Sequence, residues 1–305
     1  MYPHSHDHHR HGQAPGTGRA FAIGIALNAA FVLVEWICGV LANSLSLIAD
    51  ATHNFSDVLG LALAWGASAL ARRPPSMRFT YGLRGSTVLA ALANAMLLLV
   101  ATGGIAWEAI LRFQNHGAID APVVIWVAAL GVVINAGTAM LFMAGRKTDL
   151  NIRGAYLHMA ADAGVSLGVV VAGIGMVYTG WTWLDPVASL LIVTVICIST
   201  WRLLRDSVKL ALHAAPENVD PLEVRRYLAG LPGVAEVHDL HVWAMSTTET
   251  ALTVHLVMPA GHPGEEFFSH LVRHIEERFR IGHATVQIET GSSANPCILA
   301  PDHVV

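Results

Sequence analysis

Apolar residues fill six windows of about 20 residues or more, the length a helix needs to cross a ~30 Å hydrocarbon core. They lie near 20–42, 45–70, 86–111, 121–144, 153–179 and 184–208. Windows this long and this uniformly apolar predict transmembrane helices rather than strands. The first is preceded by histidines instead of Lys or Arg, and it is longer than the roughly 7–15-residue core of a signal peptide, so a retained span is expected. After about Leu210 the pattern changes. "PENVDPLEVRRYLAGLPG" has the period of an amphipathic helix closed by Pro-Gly, and "VAEVHDLHVWAM" and "TALTVHLVMP" alternate as strands. "GEEFFSHLVRHIEERF" is a second helix and "HATVQIE" a third strand. The predicted fold class is a membrane all-α six-helix transmembrane bundle followed by a small α+β domain of order α-β-β-α-β. Three regions result: a His-rich tail over 1–18, expected to be disordered, a six-span transmembrane region over 19–209, and a C-terminal domain over 210–305.

Charge supplies the orientation. Arg72, Arg73, Arg78 and Arg84 follow the second window, Arg146, Lys147 and Arg153 the fourth, and Arg202, Arg205 and Lys209 the sixth, whereas the opposite loops hold only Arg112. The positive-inside rule then places both termini in the cytoplasm, which in a bacterium means the inner membrane. Only 13% of the residues are charged, against roughly 25% in soluble domains, which fits membrane lipid as the surroundings. The formal net charge is −4, so no basic field argues for a nucleic-acid partner. Cys38, Cys197 and Cys297 are far apart, and no disulfide framework or thiolate zinc knuckle is predicted.

Against that background the second window is anomalous. "IADATHNFSDVLGLALAW" carries Asp50, His53 and Asp57 at i, i+3 and i+7, which sets all three on one helical face. A second face answers it in the fifth window, where "YLHMAADAG" places His158 and Asp162 at i, i+4. A carboxylate at the bilayer centre costs at least ~2.5–3.5 kcal/mol, so such groups face a polar interior and serve a function. The second and fifth windows run antiparallel in the inferred topology. At 1.5 Å per residue, Asp57 lies roughly 16 Å from the outer edge and Asp162 roughly 16 Å from the inner one, both near the midplane. Two imidazoles and two carboxylates suit a tetrahedral borderline cation, above all Zn²⁺, with Cd²⁺ and Co²⁺ next, whereas Mg²⁺ and Ca²⁺ want more oxygens. The alternative is an Asp–His hydrogen bond that only joins two helices. Bound metal needs neutral imidazoles and ionised carboxylates, so protons compete with it and serve as the counter-substrate. Asp50 is open between a proton-handling group beside the metal and a polar residue near the outer end. Asn28 and Glu35 share a face of the first window, where a hydrogen-bonding role is expected.

These motifs resemble the cation diffusion facilitator family, in particular its bacterial zinc-type exporters. The similarity runs through "SLSLIADATHNFSDVLGLALA", "FTYGL", "VLAALANAMLLL", "NIRGAYLHMAADAGVSLGVVVAG", "TGWTWLDPVASLLI", "GVAEVHDLHVW" and "HATVQIE", in that order. The resemblance implies a homodimer of six-span protomers that exports divalent metal cations in exchange for protons by alternating access. It matches the transport site onto His53, Asp57, His158 and Asp162. Where the family usually has Arg and then Glu after "YG", this chain has Gly85 and Thr87, so ion pairing there is lost or rearranged. The loop "RRPPSMRFT" holds no histidine, and the interfacial metal site that some members carry there is expected to be absent.

Similar exporters also bind metal in the cytoplasmic domain, and matching positions make His238, His255, His283 and Glu289 candidate ligands for a regulatory Zn²⁺; unliganded surface histidines are the alternative. Strict strand alternation puts His238 and His241 on opposite faces, with His241 beside Trp243. The tail residues His4, His6, His8, His9 and His11 are spaced for loose chelation or are dispensable. Two other functions compete with export: a membrane zinc metalloenzyme, although no His-Glu-x-x-His is present, and a metal receptor without net flux.

Overall fold

The computed structural model describes residues 17–113, 117–143, 150–291 and 297–300, without the side chains of 17–28, 150–152, 154 and 155. The tail histidines, the side chain of Asn28, and Arg146 and Lys147 lie outside these described residues. Six long helices come first: α1 (Thr17–Leu41), α2 (Leu45–Ala71), α3 (Ser86–Arg112), α4 (Ala121–Phe142), α5 (Leu150–Thr179) and α6 (Leu184–Ala211). Then follow α7 (Pro221–Ala229), β1 (Glu236–Ala244), β2 (Thr250–Val257), α8 (Glu265–Phe279) and β3 (His283–Glu289). Among the described residues, α3, α4, Tyr156–Thr179 of α5, and α6 are long and apolar enough to cross a membrane, and Ala29–Leu41 is apolar but shorter. By this measure four of the six expected spans are seen. The 27-residue α2 has the length, and its polar face accounts for its lower hydropathy. Large apolar side chains such as Trp65, Val100, Trp126, Val133, Val171 and Ile198 are exposed on these helices, the surface that lipid rather than water accommodates.

Two compact units are formed, 1–59 with 98–199 and 60–97 with 200–305. In the first, the core gathers Phe31, Leu47, Val124, Ala128, Val169 and Ile192 from five helices. Small residues permit close approach: a Cβ on Gly131 would lie 2.9 Å from the Phe31 ring and 3.1 Å from Ser166 Oγ. α1 ends where Asn43 turns left-handed at φ 55°, a conformation Asn tolerates. Arg112 fixes that turn by donating from Nη2 to Asn43 Oδ1 at 2.8 Å. The start of α2 leaves backbone N–H groups without helical partners. Asp185, at the start of α6, meets that need by accepting from Leu45 N at 2.7 Å, Ser46 N at 3.2 Å, and the Ser44 and Ser46 hydroxyls at 2.6 Å each. A buried carboxylate here also complements the positive end of the α2 dipole.

The second unit holds a three-stranded sheet of order β1-β2-β3, with β1 antiparallel and β3 parallel to β2. α7 begins on Asp220, which accepts from Leu222 N at 2.9 Å ahead of Pro221, a standard N-terminal arrangement. The apolar stripes of α7 (Val224, Leu228) and α8 (Leu271, Ile275) share one core with Leu252 and Leu256 of β2. This is the expected α-β-β-α-β order. Ion pairing around Thr87 is rearranged: Arg84 pairs with Glu249 at 3.0 Å, and Thr87 Oγ1 accepts from Thr247 N at 3.0 Å, so the β1–β2 turn holds the start of α3.

Candidate metal centre

Helical spacing in α2 and α5 brings the four membrane residues together. His158 Nε2 lies 3.1 Å from Asp57 Oδ2 and 3.6 Å from Asp162 Oδ2, and His53 Nε2 lies 3.6 Å from Asp162 Oδ1 and 3.8 Å from Asp57 Oδ2. The two rings meet edge to face at 6.0 Å. A tetrahedral Zn²⁺ with bonds of about 2.0–2.2 Å holds its ligand atoms roughly 3.3–3.6 Å apart. The four nitrogen–oxygen separations straddle that edge length, and three of the four are too long for good hydrogen bonds. Asp162 Oδ2 is buried without a hydrogen-bond partner, which is costly unless a cation or proton completes it, and His53 Nδ1, the ring nitrogen that does not meet the carboxylates, is also buried without one. Exposure rises across the group, from Asp162 at 3% and His53 at 18% to Asp57 at 36% and His158 at 43%. Asp50 stands apart from the four. It is buried, accepting from Ser166 Oγ at 2.9 Å and facing Asn54 Nδ2 at 3.5 Å.

A second cluster lies on the sheet. His238 pairs with His255, and Glu289 ends β3 beside Val257, so all three share one edge of one face. His238 Nε2 is 3.4 Å from Glu289 Oε2, His255 Nδ1 is 2.9 Å from Glu289 Oε1, and Cys297 Sγ is 3.6 Å from His255 Nδ1. Each of the four offers a ligand atom within 4.8 Å of the others. Two imidazoles, a carboxylate and a thiol form a donor set that fits Zn²⁺, and both ring nitrogens of His238 are buried without a hydrogen bond. Burial pushes the Glu289 carboxyl up, but hydrogen bonds from Cys297 and Gln287 and the nearby His238 and His255 outweigh it and hold the group below its ordinary range. For Cys297 the Leu299 backbone pulls the thiol down, yet desolvation and the Glu289 and Asp239 carboxylates leave it above the ordinary value.

His283 is not brought to this cluster. It pairs with Ala251, whereas His255 pairs with Gln287. Four residues of strand, about 13 Å, separate the two rows, and the His283 ring lies against Tyr81 at 5.6 Å. Cys297 takes the fourth place, a residue for which spacing offered no signal. The expectation for His241 needs correction as well. A register shift between His238 and His241, with Asp239 at φ 49°, inserts an extra residue. This bulge sets His238 and His241 on the same face, opposite His255 and Thr253. His241 is held by Asp239 Oδ1 at 2.9 Å, and Asp239 Oδ2 reaches His255 Nε2 at 3.4 Å.

Comparison with known proteins follows the same division of the chain. The cation efflux transmembrane domain matches residues 21–210, and the cytoplasmic domain of cation efflux proteins matches 216–291. The chain belongs to the cation diffusion facilitator family. It is 37% identical to the metal cation efflux system protein CzcD of Cupriavidus metallidurans, over 94% of this chain and 89% of that protein. Identity is 35% to the zinc transporter ZitB of Escherichia coli, over 94% and 92% of the two chains. It is 32% to the cadmium, cobalt and zinc/H⁺-K⁺ antiporter of Bacillus subtilis, over 92% of each. Members of the family are transporters, so the chain is a multi-pass integral membrane protein and not an enzyme.

Proposed function

We propose that this protein exports Zn²⁺, and with it Cd²⁺ and Co²⁺, from the cytoplasm in exchange for protons. His53, Asp57, His158 and Asp162 hold the cation. The observation that carries this reading is the convergence of two His-x-x-x-Asp faces, whose imidazole nitrogens lie 3.1, 3.6, 3.6 and 3.8 Å from the carboxylate oxygens. Neither the metalloenzyme nor the receptor reading has support from the relatives, whose names describe efflux, zinc transport and antiport.

The site's charge explains the exchange. Two carboxylates cancel a divalent cation, so the loaded site is neutral in a medium that penalises charge. Once the cation leaves, two bare carboxylates remain, and protons restore neutrality at the same atoms. Alternating access then carries metal outward and protons inward through one site. Six spans with both termini in the cytoplasm fit the distribution of Lys and Arg, and the regions proposed are 1–18, 19–209 and 210–305. A homodimer is the assembly supported by the cytoplasmic-domain match. The sheet cluster is proposed as a regulatory Zn²⁺ site of His238, His255, Glu289 and Cys297, with Cys297 replacing His283 from the sequence expectation.

Purified protein in liposomes, with zinc and pH reported together under an imposed proton gradient, tests the function. Zinc uptake should rise with the gradient, move protons the opposite way, and be lost in Asp162→Asn. Uptake indifferent to the gradient would refute it.

A further inference from the structure

Where α3 begins and α6 ends, a cavity of about 310 Å³ lies against the end of β1, a size within the ~300–1,000 Å³ of ligand sites. Its lining is of two kinds. Val88 and Leu89 of α3 and Leu210 of α6 are apolar, whereas Tyr81, Arg84, His213 and Trp243 bring rings and a guanidinium. Leu89 is exposed, so the apolar lining reaches the helix surface that lipid covers. Tyr and Trp pair an apolar body with a polar tip and settle at the depth of lipid headgroups. A wider cleft of about 590 Å³ adjoins the cavity, sharing His213 and Trp243 and lined also by His241 and Thr253. A Cβ on Gly85, which lines the smaller cavity, would meet nothing within 4 Å, so the space beside it is open.

Charge complements this shape. No carboxylate lines the cavity. Arg72, Arg73 and Arg78, in the loop between α2 and α3, are exposed and form no ion pair among the described residues. That loop folds onto the cavity wall: a Cβ on Gly82, another lining residue, would lie 3.1 Å from the Arg73 carbonyl oxygen. Arg84 pairs with Glu249 at 3.0 Å, which leaves the three loop arginines as the uncancelled charge. A guanidinium carries five N–H donors, so Arg84 can hold a phosphate oxygen without releasing Glu249.

We propose that this cavity binds the headgroup of an anionic phospholipid from the adjacent leaflet, the cytoplasmic one in the proposed orientation. The phosphate is held at Arg84, the upper acyl chains lie along Val88, Leu89 and Leu210, and Arg72, Arg73 and Arg78 draw the negative charge in. Arginines just inside a spanning helix attract anionic lipid, and basic pockets between helix ends take its headgroup. A lipid held there touches α3, α6 and β1 together, so it ties the sheet to the membrane ends of two spans. The site goes beyond the proposed antiport and stands independently of it.

The test uses the full-length protein, stripped of lipid in a neutral detergent and titrated with phosphatidylglycerol or phosphatidylcholine, with bound lipid and melting temperature both read. Phosphatidylglycerol should bind at least about ten-fold more tightly and raise the melting temperature, and high salt should narrow the preference. The combined Arg72→Gln, Arg73→Gln and Arg78→Gln variant should lose roughly ten-fold or more of that affinity. Gly85→Phe, which fills the open space and leaves every arginine in place, should lose as much. Equal affinity for the two lipids, or a phosphatidylglycerol affinity unchanged in either variant, would overturn the site. If Gly85→Phe fails to fold, the arginine variant decides, because its three changes are at exposed positions. A melting temperature raised by glycerol phosphate as much as by phosphatidylglycerol would make the ligand a soluble phosphate and overturn the lipid assignment.

Discussion

The two proposed metal sites draw on nearly the same side chains and are built in different ways. In the membrane, two helices contribute two candidate ligands each, one turn apart, and every one is His or Asp. On the sheet, three strands and a segment beyond them contribute one ligand each, and one of these is a thiol. Each set offers two anionic groups to a divalent cation when Cys297 is deprotonated. They differ in softness: an imidazole–carboxylate site releases zinc-like ions more readily than one that includes a thiolate, and protons displace metal from carboxylates. A cargo site needs release, whereas a resident metal needs retention.

The largest test of that division is Asp162→Asn against Cys297→Ser. Asp162→Asn should lower zinc flux by at least about 100-fold, since even the neighbours of metal ligands are worth 10–100-fold, while zinc binding on the sheet persists. Cys297→Ser should weaken the sheet site by roughly 10–100-fold, more for Cd²⁺ than for Zn²⁺, and leave flux at saturating metal near the parent's. Equilibrium metal binding together with flux in the same preparations checks both. The opposite pattern would break the comparison.

A smaller effect is expected from Asp185→Asn. The amide would turn a donor toward one of four groups that now donate to the carboxylate, costing about 1–3 kcal/mol. A lowered melting temperature with unchanged zinc affinity is the expected result. Lost affinity with unchanged stability would mean that the α2 cap acts on the site directly. Least of all should change with His283→Ala, which should leave metal stoichiometry on the sheet unaltered, whereas His255→Ala should remove it.

The contrast in construction also decides what was legible in the sequence. Helical neighbours are fixed by spacing, so His53 with Asp57 and His158 with Asp162 could be read directly, and depth arithmetic joined the pairs. The six helices were found with ends displaced by about three residues or fewer, as for α5, which begins at Leu150 rather than near 153. Sheet neighbours depend on register. The bulge at Asp239 reversed the expected faces of His238 and His241, and nothing local marks an Asp that turns left-handed in the middle of a strand. His283 and Glu289 sit on the same face, so alternation could not tell the near one from the far one; only pairing with β2 does. Cys297 looked isolated because its partners are far away in the chain. Glu35 was expected to hydrogen-bond within the bundle, and both of its carboxyl oxygens are instead buried without a hydrogen-bond partner.

The central claim is that the cation is held in the membrane by two imidazoles and two carboxylates. X-ray absorption at the zinc edge tests it most directly, on protein carrying His255→Ala and Cys297→Ser and loaded with one equivalent of Zn²⁺. The account predicts four nitrogen or oxygen neighbours at about 2.0–2.2 Å, with no sulfur, and loss of that centre when Asp162→Asn is added. A sulfur shell at about 2.3 Å, or an unchanged spectrum in the Asp162→Asn protein, would contradict it.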